Sequence, residues 1–436
     1  MVIGNLKAGY KMIIADFHIH SYLSRATSKQ MNIEQLTRGA KLKGLDMLGT
    51  GDILHPTWFS EIKQKLQPIE STGLFEHKNL FWMLTGEVST IYQQNNKTRK
   101  VHHLLHFPSF EIVEQVIEKL SGHGNLRADG RPIFQGLTSP ELVEILVEIS
   151  KEIIITPAHL WTSWFGALGV FSGFNSIEEC YQDQTKHIFS LETGLSSDPA
   201  MNWRLSSLDK FTLISNSDSH SPWSWRLGRE ASVFDLKKLT YWKIMDVIKN
   251  KDKKRFLFTI EVDPPYGKYH FTGHRNCNVN LEPKQAVKLN NICPKCGKKL
   301  TVGVLQRVED LADRPEGFIP KDAIPFKTLL PLYEIISFAT HTNRLYSKKV
   351  LIENDKLIEK FGNELNVLLN VPKEELLKVT SEKISGAIIK VREEKIKYVP
   401  GYDGVYGKPM FSEENLNKFK RQQIKTQKSL IDFEGL

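Results

Sequence analysis

Cysteine is scarce in this chain: four residues in 436. That excludes a disulfide scaffold. Three of the four (Cys277, Cys293 and Cys296) fall close together, which points to metal binding in a reducing interior. Long apolar runs are missing too. None reaches the roughly 18 residues of a membrane span, so an integral membrane protein is excluded. The first twenty residues lack the apolar stretch and small-residue cleavage site of a secretory signal, so the expected location is the cytoplasm, with the nucleoid. Internal repeats and low-complexity tracts are absent as well. What remains is ordinary globular composition, 40% hydrophobic and 25% charged, enough for a sizeable core. At roughly 100–200 residues per domain, the length suits two to four domains.

Acidic residues are few in one place. Residues 251–307 hold 12 Lys and Arg against 4 Asp and Glu, while the whole chain carries a net charge of +9. A basic segment of this kind attracts a polyanion, most often nucleic acid.

Short apolar runs at 12–17, 47–51, 81–88, 101–107, 153–157, 188–192 and 212–215 read as strands. Between several of them lie amphipathic stretches, at 33–43, 109–120, 139–151 and 176–185. The alternation implies parallel strands in an α/β fold, and seven such units suit a closed barrel. Function is then expected just past the strand C-termini. The pattern breaks at Pro264-Pro265, and residues 326–345, 348–361 and 373–394 read as helices.

Each strand carries or ends in a metal-competent side chain. Asp16-Phe17-His18-Ile19-His20 follows the first; in an extended segment His18 and His20 face one way, as two ligands of one ion must. Asp52 and His55 follow the second, Glu87 the third. His102, His103 and His106 ride the fourth. His159 ends the fifth, Glu192 the sixth, and Asp218-Ser219-His220 the seventh. A shared carboxylate such as Glu87 can hold two cations close together, an arrangement suited to hydrolysing a phosphodiester.

The motifs Asp16-Phe17-His18-Ile19-His20, Gly86-Glu87, Pro157-Ala158-His159 and Ser217-Asp218-Ser219-His220 resemble those of the PHP (polymerase and histidinol phosphatase) superfamily. The resemblance implies a distorted (β/α)7 barrel with two to three divalent cations (Zn2+, Mn2+ or Mg2+). It implies a first metal on His18, His20, Glu87 and Asp218, a second on Glu87, His103 and His159, and a third on His220 and Asp52. Many members of the superfamily have Asp-His where this chain has Asp52-Ile53, so His55 or Glu192 are alternatives for the third ion. His102 and His106 are alternatives to His103. Asp218, His220, Glu87 and Asp52 are the catalytic candidates.

His274-x2-Cys277 and Cys293-x2-Cys296-Gly297 form two knuckles 15 residues apart. A two-residue gap lets both ligands of a knuckle reach one tetrahedral Zn2+ at about 2.0–2.3 Å. With four protein ligands the site is structural; His270 is an alternative fourth ligand.

The order of these parts, a PHP barrel followed by 269–277, the Cys293/Cys296 knuckle, 305–315 with Ala312-Asp313-Arg314-Pro315, and a helical end, resembles the endonuclease Q family of DNA repair nucleases. The likeness runs from about residue 12 to 436. It implies cleavage of DNA on the 5′ side of deaminated bases (uracil, hypoxanthine, xanthine) and abasic sites, leaving a 3′-hydroxyl and a 5′-phosphate. A nuclease that senses a base must expose it by flipping. Trp161, Trp164, Phe165, Phe171 and Asn175, just past His159, are candidates for the base pocket: aromatics to stack, an amide to donate. Ordinary packing under a loop is the alternative.

Gln427-x-x-Leu430-x-x-Phe433 matches the pattern of a sliding-clamp (PCNA) binding peptide, with Leu430 and Phe433 on one helical face. The expected division is 1–260 barrel, 261–312 basic zinc module, 313–425 helical domain and 426–436 tail. Two other functions fit less of the chain. A PHP phosphoesterase for a small phosphorylated molecule leaves the zinc module idle. A non-catalytic, clamp-recruited DNA-binding protein leaves the ligand set idle.

Overall fold

The computed structural model describes residues 11–342 and 347–411. Seven strands follow one another around a barrel: β1 (Lys11–Asp16), β2 (Met47–Gly49), β3 (Leu80–Gln94), β4 (Lys97–Phe107), β5 (Ile154–Pro157), β6 (Ser190–Glu192) and β7 (Thr212–Ile214). β1, β2 and β3 are parallel neighbours, as are β6 and β7. β5 meets the segment leading into β6 through the Ile155–Ile188 bridge, and the segments past β1 and β7 close through Ile19–Ser219. This is the expected distorted PHP barrel, with a mixed rather than all-parallel sheet. β3 and β4 form a long antiparallel hairpin, and β5 runs antiparallel to β4.

The hairpin has a local cause. Asn95 and Asn96 both take left-handed backbone (φ 54° and 57°), the geometry of a two-residue turn that matches strand twist. The strands therefore extend well beyond the apolar runs at 81–88 and 101–107. Helices begin where the sequence offers side-chain caps: Asn32 accepts from Gln35 N, Ser109 from Ile112 N, and Thr138 forms a reciprocal capping box with Glu141.

β8 (Ala231–Leu236) adds antiparallel to β1, followed by β9 (Phe256–Glu261) and, parallel to it, β10 (Phe326–Thr328). The stretch at 326–345 is therefore a strand and then a helix, Leu332–Ala339. Pro331 separates them, since the residue before a proline favours extended backbone. The stretch at 373–394 likewise divides into Lys373–Leu377 and Glu382–Arg392, the second capped by Ser381.

The helical part docks on the barrel through polar contacts that are almost wholly buried. Lys43 Nζ lies 2.8 Å from Glu364 Oε1, and Leu332 N donates to the same oxygen. Trp225 stacks on Tyr333 with ring centroids 4.7 Å apart. The chain then returns to the cysteine-bearing module: Asp403 accepts from Arg275 N and Thr301 Oγ1 at 2.7 Å each. The sequence segments 261–312 and 313–411 are thus intertwined in space.

Candidate metal centres

Three site residues sit at strand ends in left-handed backbone: Asp52 (φ 46°), His159 (φ 32°) and Asp218 (φ 47°). Such conformations cost about 1–3 kcal/mol each and cluster at functional sites. Here they turn side chains inward at one mouth of the barrel.

His18 and His20 enter from the segment after β1, and buried carboxylates fix their orientation. His18 Nδ1 lies 3.0 Å from both oxygens of Glu192. His20 Nδ1 lies 2.9 Å from Asp52 Oδ1. An ionised carboxylate can only accept, so each Nδ1 carries a proton and Nε2 is the atom of each ring that a cation would take. His18 Nε2 is buried with no hydrogen-bond partner. It stands 3.7 Å from Glu87 Oε2 and 3.7 Å from Asp218 Oδ1. Those gaps are too long for hydrogen bonds and suit donors around one cation at about 2.0–2.2 Å. His20 Nε2 completes the group, 3.0 Å from Asp218 Oδ1 and 3.4 Å from Glu87 Oε2. Donor atoms of His18, His20 and Asp218 all lie within 4.8 Å of one another.

A second group gathers on the other oxygen of Glu87. Its Oε1 is 2.7 Å from His102 Nδ1 and 3.0 Å from His159 Nε2; donor atoms of the three residues again fall within 4.8 Å. Glu87 thus faces both groups, as a shared ligand must. Burial opposes its charge, yet His102, Arg131 and His18 hold the carboxyl well below its ordinary range. For Asp218, burial is likewise outweighed, by His18, His20 and His220. Burial lowers the His20 imidazole, but Asp52 and Asp218 carry it up to about 9. The donors are hard carboxylates and imidazoles in a buried cage, a set that fits divalent cations.

Several expected ligands lie elsewhere. His103 is not at Glu87. Its ring is held by Thr90 Oγ1 at 3.0 Å and Tyr181 OH at 2.8 Å, in the core. The hairpin register decides this: Ser89 pairs with His102 and Val88 with His103, so His102 shares the face of Glu87 and His103 the opposite one. The Asn95-Asn96 turn carried that information. Asp52 does not pair with His220. Its Oδ2 accepts from Ser21 N at 2.6 Å, Ser21 Oγ at 2.7 Å and Ser24 Oγ at 2.8 Å, and Oδ1 is taken by His20. It orients His20 from behind and has no spare face for an ion. Glu192 does the same for His18. His55 Nδ1 caps the helix Pro56–Lys65 through Thr57 N, and His106 Nδ1 faces the Ile154 carbonyl. His220 stands at the rim with Nδ1 2.9 Å from the Asp218 carbonyl and its ring 4.6 Å from His20. Arg131, which no motif signals, is in the site: NH1 donates to Glu87 Oε2 at 3.0 Å.

The loop after His159 covers the second group. Phe165 packs on His102 with centroids 4.3 Å apart. Trp164 and Phe171 are exposed and stack on each other at 4.9 Å, and Trp164 meets Tyr269 edge-on. Trp161 is buried, its Nε1 donating to Asn202 Oδ1 at 2.8 Å, so it is core and not a pocket wall. Asn175 accepts from Arg307 at 2.9 Å and ties this loop to the helix Val304–Leu311.

The four donors of His274, Cys277, Cys293 and Cys296 also lie within 4.8 Å of one another. The strand pair Thr272–His274 and Val279–Leu281 presents one knuckle. The other turns at Gly297 (φ 71°), where Gly297 N donates to Cys293 O and Cys293 N to Lys298 O. Two-residue spacing and a tetrahedral thiolate–imidazole set fit a structural divalent cation such as Zn2+. His270 is not part of the group; it is buried beside Phe271, and burial pushes it down to about 3. Lys284, Lys288, Lys295, Lys298 and Lys299 on this module are exposed. The tail residues Gln427, Leu430 and Phe433 lie outside the described residues.

Fold and site together define a PHP-type barrel whose mouth gathers two sets of divalent-cation donors, joined to a basic cysteine–histidine module. The chain superposes on the lesion-specific endonuclease PfuEndoQ from Pyrococcus furiosus with a TM-score of 0.83 and 36% identity, over 93% of this chain and 97% of that one. It matches an endonuclease Q in complex with a duplex bearing an abasic lesion at the active site equally well (TM-score 0.82, 35% identity, 93% and 98% coverage). The chain belongs to the endonuclease Q family. Residues 331–395 match the family model of the MJ0043 C-terminal domain. The protein MJ0043 of Methanocaldococcus jannaschii is 34% identical over 60% of this chain, which spans only 32% of that longer protein. YqxK of Bacillus subtilis is 27% identical over 91% of this chain and 99% of its own length.

Proposed function

We propose that this protein is a metal-dependent DNA repair endonuclease that hydrolyses the phosphodiester on the 5′ side of abasic sites and of deaminated bases (uracil, hypoxanthine and xanthine). The observation that carries the reading is the near-full-length match to lesion-specific endonuclease Q, with a cage at the barrel mouth whose donors suit the chemistry.

Divalent cations held there supply Lewis acidity, acidifying water and neutralising charge that builds on phosphorus. The chain's own residues do the rest. Glu192 and Asp52 hold the Nδ1 atoms of His18 and His20, so that Nε2 of each ring is the atom that would face a cation. Glu87 joins the two groups, with His102 and His159 on one side and Asp218 on the other. His220, whose Nδ1 is engaged by the Asp218 carbonyl, presents Nε2 at the rim to exchange a proton with the reacting groups. Water adds to phosphorus, the 3′ oxygen leaves, and the products are a 3′-hydroxyl and a 5′-phosphate.

Lesion recognition requires a base turned out of the duplex, which costs least where pairing is already lost. Deamination replaces a donor amine with an acceptor carbonyl, so fixed donors accept the lesion and leave the normal amine unpaired, at about 1–3 kcal/mol. The exposed pair Trp164 and Phe171, beside Phe165 on His102, offers flat surfaces for that base at about 1–3 kcal/mol per stacked base. Exposed lysines of the zinc module add phosphate contacts without reading sequence. The tail pattern at Gln427, Leu430 and Phe433 supports recruitment by a sliding clamp, and the basic surface supports association with the nucleoid.

The test is a set of end-labelled duplexes carrying one uracil, hypoxanthine, xanthine or abasic position, incubated with each divalent ion. A single nick 5′ to the lesion is the expected product. Random nicking, or none on any lesion with cations bound, refutes the reading.

A further inference from the structure

We propose that Arg131 is the anion-binding arm of the site, a subsite for the non-bridging oxygens of the phosphate under attack. The inference rests on the reading of the site as a phosphodiesterase centre.

The backbone holds Arg131 in place from both sides. Gly130 is pressed against the groups that orient His20: a Cβ there would stand 2.2 Å from Asp52 Oδ2 and 2.3 Å from Ser24 Oγ, so any larger residue would displace them. Gly130 N donates to the Leu23 carbonyl. Asp129 Oδ1 accepts from Arg131 N at 3.2 Å and from Arg25 N at 3.4 Å. On the other side, Ser89 N donates to Pro132 O at 2.9 Å, and Ile133 pairs with Ser89 on the strand that carries Glu87. The segment is thus pinned to the turn behind His20 and to the strand of the shared carboxylate. With its backbone pinned this firmly, only the rotamers of the Arg131 side chain remain to be ordered on binding.

The guanidinium reaches Glu87 Oε2 at 3.0 Å, and 26% of the side chain remains exposed at the mouth. That oxygen is the one facing His18 Nε2 and His20 Nε2, at 3.7 and 3.4 Å. It is therefore the oxygen that the first donor group contributes to a cation. Arginine cannot shed its proton. Were Glu87 Oε2 to share its charge with a cation, the guanidinium would face positive charge and keep only a weakened acceptor there. An anion at the mouth restores the balance. Phosphate suits it best, because two parallel N–H donors match two phosphate oxygens. Arg131 then neutralises charge on the oxygens as the linkage breaks, a role that mutagenesis of comparable donors values at about 10²–10³ in rate.

The experiment compares wild type, Arg131→Gln and Arg131→Lys, each loaded with Mn2+ and checked for folding by thermal unfolding. Three quantities are read: bound metal per chain, affinity for inorganic phosphate by calorimetry, and kcat on bis(4-nitrophenyl) phosphate and on the abasic duplex. The expected result is unchanged metal content, phosphate affinity weakened tenfold or more, and kcat lower by about 10²–10³ for Arg131→Gln. Arg131→Lys should recover only part of the loss, since a point charge lacks the fork. Metal loss in Arg131→Gln with rate recovered by excess Mn2+ overturns the proposal, because Arg131 then merely supports Glu87. Unchanged phosphate affinity also overturns it. A wild type that hydrolyses the small diester and not the lesion duplex refutes the DNA reading alone. If it hydrolyses neither, phosphate affinity still decides for or against Arg131.

Discussion

His102 Nδ1 lies 2.7 Å from Glu87 Oε1, while the next residue, His103, points through the sheet to Thr90 and Tyr181. Adjacent histidines thus serve opposite faces of one strand, and substitution separates their roles. His102→Ala should remove a cation from the second group and most activity with little change in unfolding temperature. His103→Ala should keep its metal and lose about 1–3 kcal/mol of stability, leaving the buried Tyr181 hydroxyl without its partner. Metal analysis with thermal unfolding checks both.

Asp218 faces His18 and His20 and has a side chain about a third exposed at the mouth. Asp218→Asn removes a charge while keeping shape. Nicking should fall by about 10²–10³, the scale of losing one electrostatic group from a preorganised site. Binding of an abasic duplex should stay within a few-fold, as phosphate contacts elsewhere supply affinity. Loss of binding by a folded variant would assign Asp218 to DNA contact instead.

The Lys43–Glu364 pair joins the barrel to the helical part with both side chains buried. Glu364→Ala strands a buried ammonium and should cost about 3–5 kcal/mol. The double change Lys43→Met with Glu364→Leu should cost much less. Chemical denaturation of the three proteins gives the comparison; equal losses would mean that the ion pair itself, not the stranded charge, sets the energy.

Burial raises Asp263 to about 7, with Asp198 and Glu394 adding to the rise. An acid whose pKa is higher in the folded than in the unfolded state favours folding below its unfolded value near 3.8. That contribution is lost as pH rises through about 7. Asp263→Asn should therefore stabilise the protein at pH 8, by about 1–3 kcal/mol, and much less at pH 4.5. Melting curves at the two pH values test the sign.

Cys296 Sγ lies 3.4 Å from His274 Nδ1, with Cys277 and Cys293 in the same group. Cys296→Ser should release one Zn2+ per chain and loosen residues 272–301, because knuckles of this size fold on their metal. Hydrogen exchange should rise there and not in the barrel. Uniform protection would show that the module stands without zinc.

Much of this was legible in the sequence. The seven strands, a mouth rich in metal-competent side chains and the cysteine–histidine module follow from period, spacing and side-chain chemistry, while the choice of His18, His20, Glu87, His159 and Asp218 among the candidates is what the resemblance to the PHP superfamily implies. What escaped was set by register and by long-range contact. Choosing His102 over His103 needs the phase of a hairpin fixed by Asn95-Asn96. The roles of Asp52 and Glu192 behind the histidines depend on contacts such as His18–Glu192, 174 residues apart. Arg131 arrives on a segment whose only local sign is a glycine. Trp161, a base-pocket candidate by its place beside His159, fills the core and donates to Asn202.

Hydrolysis in water enriched in ¹⁸O tests the central claim most directly. Mass spectrometry of the nicked abasic duplex should find one ¹⁸O on the 5′-phosphate of the lesion-bearing fragment and an unlabelled 3′-hydroxyl on the other. Unlabelled ends, or cleavage on the 3′ side with an unsaturated sugar, would mean that elimination at the abasic sugar, not attack on phosphorus at the barrel mouth, breaks the strand.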